Sequence, residues 1–217
     1  MTLILTALCR DGICVCADKR YRVTHSDGKV ENEDNCTKIY KFNQAPLIIF
    51  NHGVNKINNR YWDEFCSDYE QSSRWRNNSF SMIVSDFRNF LDNDVQNQLR
   101  NEQLLPEQDR AIGFVLCGKT FQDSKFRIKE LFWSFKSGNV FFQSKSHVGL
   151  VRSGDGKKYL ENYLNNKESN LIDYWKRMSI DQAKKELPLL FQIAVNERIK
   201  IGGEEFSNDY DIFFITK

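Results

Sequence analysis

A threonine stands directly behind Met1. If the methionine is removed, a hydroxyl and a free α-amino group share one residue, so a nucleophile and a candidate base are present in one place. Thr2 is therefore the first candidate for chemistry. Asp18 and Arg20 follow an apolar run, and on their own they read as a surface ion pair of little energetic value. Lys38 taken alone reads as an exposed strand lysine. Cys14 and Cys16, with His52, suggest metal ligands, but no second pair lies at zinc spacing. The two cysteines share one face of an expected strand, where a free thiol behaves as a small core residue. His25 and His147 read as solvated or structural.

The elements that must position these residues begin with a hairpin. Residues 2–8 are apolar and β-branched, Asp11-Gly12 is a tight-turn signal, and 13–17 is apolar throughout, as in a strand buried on both faces. Antiparallel pairing sets residues equidistant from the turn opposite each other, which brings Thr2 back to the Asp18–Arg20 region. Residues 21–35 are polar, contain Ser26-Asp27-Gly28, and are expected to form an exposed loop. Short strands are expected over 37–42 and 47–51. A helical stripe then runs through Val54, Ile57, Tyr61, Phe65 and Tyr69. A clearer helix carries Phe80, Ile83, Val84, Phe87, Phe90, Leu91, Val95 and Leu99, with Pro106 beyond its end.

From residue 111 the pattern returns to strands, over 112–117, 126–135, 140–142 and 148–151. A helix with Tyr159, Leu160, Tyr163 and Leu164 follows the turn at 152–156. Ser179-Ile180-Asp181-Gln182 has capping-box spacing and starts the last long helix, which Pro188 is expected to kink or divide. A strand over 210–216 closes the chain. Strands, helices, strands, helices and a final strand in that order indicate α+β layering rather than βαβ alternation.

Composition narrows the function classes. The 217 residues are 41% hydrophobic and 28% charged, with 17 Phe, a balance that suits one folded domain over 1–217. A net charge of +2 is too small to argue for nucleic acid or an anionic membrane. No apolar run has the length of a membrane span. The N-terminus lacks the pattern of a secretory signal, so the six cysteines are expected to be reduced thiols in a cytoplasmic protein.

The stretch from Thr2 through Asp11-Gly12-Ile13-Cys14-Val15-Cys16-Ala17-Asp18-Lys19-Arg20, followed by Asn35-Cys36-Thr37-Lys38-Ile39, resembles the start of proteasome β-type subunits and of the bacterial proteasome-like ring peptidases. The Gly12, Asp18 and Arg20 spacings from Thr2 match that family without a gap, and Lys38 matches if the intervening loop is longer. The resemblance is dense over residues 2–53 and architectural beyond. It implies the four-layer αββα sandwich of N-terminal-nucleophile hydrolases, two antiparallel sheets flanked by helices. It also implies a threonine-type peptidase or amide hydrolase that needs no cofactor or metal and loses only Met1.

In the chemistry so implied, the Thr2 hydroxyl attacks a carbonyl while its α-amine, with an ordinary pKa of about 8, acts as base directly or through water. Lys38 places positive charge beside it, Asp18 holds the Lys38 ammonium, and Arg20 supports that loop. Backbone N–H groups around His52 and Gly53 serve as oxyanion donors, and Ser153 assists the amine. The family's late acidic residue and serine precede a Gly-Gly pair. Here Ile201 precedes Gly202-Gly203, and Glu197, one residue too far away, is the counterpart on offer. At Asn51-His52-Gly53 the histidine side chain is expected to crowd the oxyanion site.

The implied partners are a peptide or unfolded-protein substrate, further copies of the chain in a ring or other homo-oligomer, and an ATP-dependent unfoldase. The competing readings are a catalytically silent structural or assembly subunit of the same fold and an amidase for a small non-peptide substrate.

Overall fold

The apolar runs flanking Asp11-Gly12 form the expected hairpin. Strand β1 (Ile4–Cys9) pairs antiparallel with β2 (Gly12–Asp18), with Ile4 opposite Ala17 and Cys9 opposite Gly12. Gly12 is required by close approach, because a Cβ there would lie 2.0 Å from the Ile215 carbonyl oxygen. This computed structural model describes residues 2–24, 29–34, 36–101, 110–154, 156, 158–165, 171–203 and 206–216. Met1, His25, Ser26-Asp27-Gly28, Asn35, Pro106 and Asp155 lie outside the described residues.

The next elements are β3 (Tyr21–Thr24), β4 (Val30–Glu33), β5 (Ile39–Lys41), β6 (Leu47–His52), β7 (Lys56–Ile57) and β8 (Arg60–Tyr61), then helices α1 (Trp62–Gln71) and α2 (Phe80–Asn101). After them come β9 (Arg110–Gly118), β10 (Arg127–Lys136), β11 (Asn139–His147), β12 (Leu150–Ser153), α3 (Lys158–Asn165), α4 (Leu171–Arg177), α5 (Ile180–Lys200) and β13 (Tyr210–Thr216). The chain divides into two compact units, Met1–Ile39 with Val148–Lys217, and Tyr40–His147.

The first unit is built on a four-stranded sheet of order β12-β1-β2-β13, antiparallel throughout. Alternate residues Leu3, Leu5, Ala7, Cys14 and Cys16 share a core with Leu187, Leu190, Phe191 and Ala194 of α5 and with Trp175 of α4. Each large apolar side chain buried this way contributes about 1.5–3 kcal/mol relative to exposure. The capping box forms as the spacing predicts, with Ser179 accepting from the Gln182 N–H and the Gln182 side chain accepting from the Ser179 N–H. The adjoining Ile180 N–H donates to the Asp11 carboxylate at 2.9 Å, which ties the start of α5 to the first turn. Pro188 does not divide α5. Leu187, Leu190 and Phe191 are buried on either side of it, and their packing outweighs the backbone hydrogen bond that proline removes.

The second unit carries a five-stranded sheet of order β11-β10-β9-β6-β5 with α1 and α2 on one face. Leu47, Ile49, Phe114, Leu116, Leu131 and Trp133 meet Phe65, Tyr69, Ile83, Phe87, Leu91 and Val95 there. Two segments differ from their sequence patterns. Residues 54–61 are not helical; β7 and β8 form a small ribbon whose turn places Asn58 and Asn59 at φ 49° and 65°, a conformation asparagine tolerates. Residues 21–35 are not simply a loop, because β3 and β4 pair antiparallel with Tyr21 opposite Glu33 and Thr24 opposite Val30. Among the described residues no helix is long and apolar enough to cross a membrane.

Candidate active site

The hairpin register delivers the end of β2 to the start of β1. The Asp18 N–H donates to the Leu3 carbonyl at 3.1 Å, and the Leu3 N–H donates back to Asp18 Oδ1 at 2.8 Å. Thr2 is thus covalently next to a residue that Asp18 holds from both sides. The second carboxylate oxygen, Oδ2, accepts from Lys38 Nζ at 2.8 Å and from the Arg20 N–H at 3.2 Å. The chain reaches Lys38 through the β3–β4 ribbon, and the Cys36 N–H closes that excursion by donating to the Lys19 carbonyl at 2.9 Å. The longer connection anticipated between Arg20 and Lys38 is this ribbon.

Asp18 is 0% exposed and Lys38 3%. Neither is the surface charge that its residue type alone suggests. Burial pulls the Lys38 ammonium below its ordinary proton affinity, and the Asp18 carboxylate offsets part of that effect. A buried pair of this kind holds its geometry because removing either partner strands the other charge away from water. The arrangement therefore fixes a buried cation on the carboxylate that also binds the Leu3 N–H, the residue after Thr2.

The backbone of Thr2 is held from another direction. Its carbonyl accepts from the Gly156 N–H at 3.3 Å, while Ser153, buried at the end of β12, is the strand partner of Ile4. Gly154 adopts φ 81°, and a Cβ there would sit 2.1 Å from the Thr2 carbonyl oxygen. Only glycine fits that close approach. Thr2, Asp18, Lys38 and Ser153 are accordingly gathered on the first unit by one hairpin, one ribbon and one edge strand.

Other anticipated residues are engaged elsewhere. The Arg20 guanidinium forms a two-pronged pair with Asp34, at 2.6 Å and 2.8 Å, while its backbone N–H reaches Asp18. This pair supports the ribbon and holds the Asp34 carboxyl below its ordinary range. Glu197 lies on the outer surface of α5, its side chain 47% exposed and paired with Lys200, in an open groove with Ile193, Asn196 and Ile199. No described contact joins it to the Asp18–Lys38 pair.

His52 and Gly53 belong to the second unit. The His52 ring stacks on Phe132 and lies where a Cβ on Gly113 would be, and its Nε2 is 3.0 Å from Glu130. The ring is thus held over its own sheet. Gly53 has φ 112°, a backbone state suited to glycine. Cys9 and Cys14 have thiols that burial pushes up to about 12, so neither offers a thiolate nucleophile near neutral pH.

Several partners were missed in the sequence. Asp34 was legible in principle, because a ribbon centred near Asp27 sets residue 34 opposite Arg20. Tyr21 was not singled out, yet it is buried, donates its hydroxyl to the Thr37 carbonyl at 3.0 Å, and presents its ring 5.5 Å from Lys38 Nζ. Glu130 bridges His52 and His147, and the hydrogen bonds from both imidazoles hold its carboxyl well below the ordinary range. Nothing in the local spacing of these three residues announces the cluster.

No protein-family model and no curated protein sequence matches the chain. Solved structures do match it along its whole length. Anbu (ancestral β-subunit) from Yersinia bercovieri has a TM-score of 0.60 and 11% identity, covering 99% of this chain and 82% of that one. The helical assembly of the Anbu complex from Pseudomonas aeruginosa has a TM-score of 0.56 and 14% identity, covering 99% of this chain and 81% of that one. Eukaryotic HslV from Trypanosoma brucei has a TM-score of 0.50 and 14% identity, covering 99% of each chain. The α+β fold is that of proteasome-like N-terminal-nucleophile hydrolases.

Proposed function

We propose that the chain is a threonine-type peptidase or amide hydrolase of the proteasome-like class, with Thr2 as nucleophile once Met1 has left. The observation that supports this reading is the buried contact chain from the N–H of Leu3, the residue after Thr2, through Asp18 to Lys38. In this mechanism the Thr2 hydroxyl attacks a carbonyl carbon and its proton passes to the Thr2 α-amine, directly or through a water. The Lys38 ammonium lowers the proton affinity of the neighbouring amine and stabilises the developing alkoxide. Asp18 fixes that ammonium, Arg20 braces the ribbon through Asp34, and Ser153 assists the amine. The acyl-enzyme then yields to water and regenerates Thr2.

The proposed substrates are peptides or unfolded proteins in the cytoplasm. Self-association into a ring or other homo-oligomer is proposed by analogy with the matched structures, one of which is a helical assembly, and an ATP-dependent unfoldase is the proposed delivery partner. An amidase for a small molecule is the variant of this reading in which the same chemistry meets a different substrate.

A silent structural or assembly subunit is the second reading, and one observation favours it. The family's late acidic residue and serine have no buried counterparts at Arg198 and Ile201, and Glu197 is turned to solvent. The intact mass of untagged protein separates the two. Loss of Met1 is expected for the enzyme, and full retention of Met1 blocks the amine and rules out the mechanism.

A further inference from the structure

Lys38 has a second neighbour that the mechanism above does not use. Tyr21, the first residue of β3, is buried and faces the ammonium with its ring at 5.5 Å, while its hydroxyl donates to the carbonyl of Thr37, the residue before Lys38. One side chain therefore touches both the backbone that carries Lys38 and the space around its charge. Among the described residues, Asp18, Cys36 and Arg20 are charged or titratable groups that act on Lys38. Asp18 accounts for one direct hydrogen bond at 2.8 Å.

We propose that Tyr21 is a positioning residue for Lys38, its ring excluding water from the ammonium and its hydroxyl pinning the Thr37–Lys38 backbone toward Asp18. Two opposed effects of the ring decide the sign. A ring face attracts a cation, but 5.5 Å is near the outer limit of about 6 Å for that attraction. Excluding water from a side chain only 3% exposed is the larger effect, in keeping with burial as the leading cause of the weakened Lys38 proton affinity. Cutting the ring away admits water and lets Lys38 hold its proton to higher pH. Keeping the ring while deleting the hydroxyl leaves that proton affinity in place and loosens only the backbone pin.

The consequence for catalysis rests on the Thr2 reading, whereas the claim about Lys38 stands on geometry alone. The test measures them separately. Lys38 is titrated by NMR of its side-chain nitrogen, assigned with Lys38→Arg, in the full chain and in Tyr21→Phe and Tyr21→Ala. Tyr21→Ala is expected to raise the Lys38 titration point by about one pH unit, the scale of partial resolvation. Tyr21→Phe is expected to leave it within about a third of that shift while slowing Thr2 labelling by a threonine-directed electrophile about fivefold, near the worth of one hydrogen bond.

An unchanged or lowered titration point in Tyr21→Ala overturns the proposal, and so does an equal rise in Tyr21→Phe. Should the alanine variant not fold, Tyr21→Gln, which fills more of the space than alanine but removes the ring and admits water, carries the same expectation and the same refutation. If wild type shows no labelling at all, the Thr2 reading fails, and the titration still decides the role of Tyr21.

Discussion

Asp18→Asn is the substitution whose effect the structure fixes most fully. The side chain keeps its shape and loses its charge. Oδ1 faces the Leu3 N–H at 2.8 Å and Oδ2 faces Lys38 Nζ at 2.8 Å and the Arg20 N–H at 3.2 Å, so both oxygens meet donors. Whichever way the new amide turns, its NH2 is set against a donor, and the Lys38 ammonium is left buried without its counter-charge. At 2.8 Å and an effective dielectric constant of about 20, the gross attraction removed is about 6 kcal/mol. Part of that is returned when Lys38 gives up its proton, and a net loss of about 3–5 kcal/mol is expected at pH 7. For a chain of this length that corresponds to a fall in Tm of roughly 6–20 °C.

The pH dependence has a definite sign. The folded state of the variant binds the Lys38 proton more weakly than the unfolded chain, whose lysines titrate near the ordinary 10.5, so the deficit is full below the lowered folded value and closes as pH approaches 10.5. Urea unfolding at pH 7 and pH 10 measures it, and Asp18→Asn with Lys38→Met is expected to recover most of the loss. A loss below about 1 kcal/mol at pH 7, the range of an exposed pair, refutes the reasoning.

Gly154→Ala places a Cβ 2.1 Å from the Thr2 carbonyl oxygen at φ 81°, so it is expected to cost at least about 2 kcal/mol and to slow electrophile labelling of Thr2; thermal melts and labelling rates check both. Glu130→Gln removes one charged partner from two imidazoles, and a loss of about 2–3 kcal/mol is expected at pH 7. Because the folded carboxyl lies below its ordinary 4.5, the wild-type advantage is full above that pH and is lost progressively as pH falls beneath it, so melts at pH 7 and pH 3 are expected to show a narrowing gap.

The Leu3–Asp18 contact at the centre of the candidate site was legible because it follows from counting. A turn at Asp11-Gly12 sets the end of β2 beside the start of β1, and the two Leu3–Asp18 hydrogen bonds are the outcome. Lys38 was legible only through the family resemblance, since the 21–35 excursion hides its register. That excursion was misread because its two strands are only four residues each and one of them, Val30–Glu33, is mostly polar, too little to imprint an apolar alternation. Residues 54–61 were misread for the opposite reason. Val54 and Ile57 fit a helical stripe, but the Asn58-Asn59 pair reverses the chain after Ile57. Pro188 shows tertiary packing outweighing a local breaker. The His52 ring could not be placed from spacing, because its site is a gap left by Gly113 on a strand far along the chain.

The most direct test of the account is the location of the adduct formed when untagged, Met1-processed protein meets a threonine-directed electrophile, read by peptide mass mapping. The account predicts a single adduct on Thr2, lost in Thr2→Ala and strongly slowed in Lys38→Ala. An adduct that persists in Thr2→Ala, or a processed wild-type protein that never labels, contradicts it.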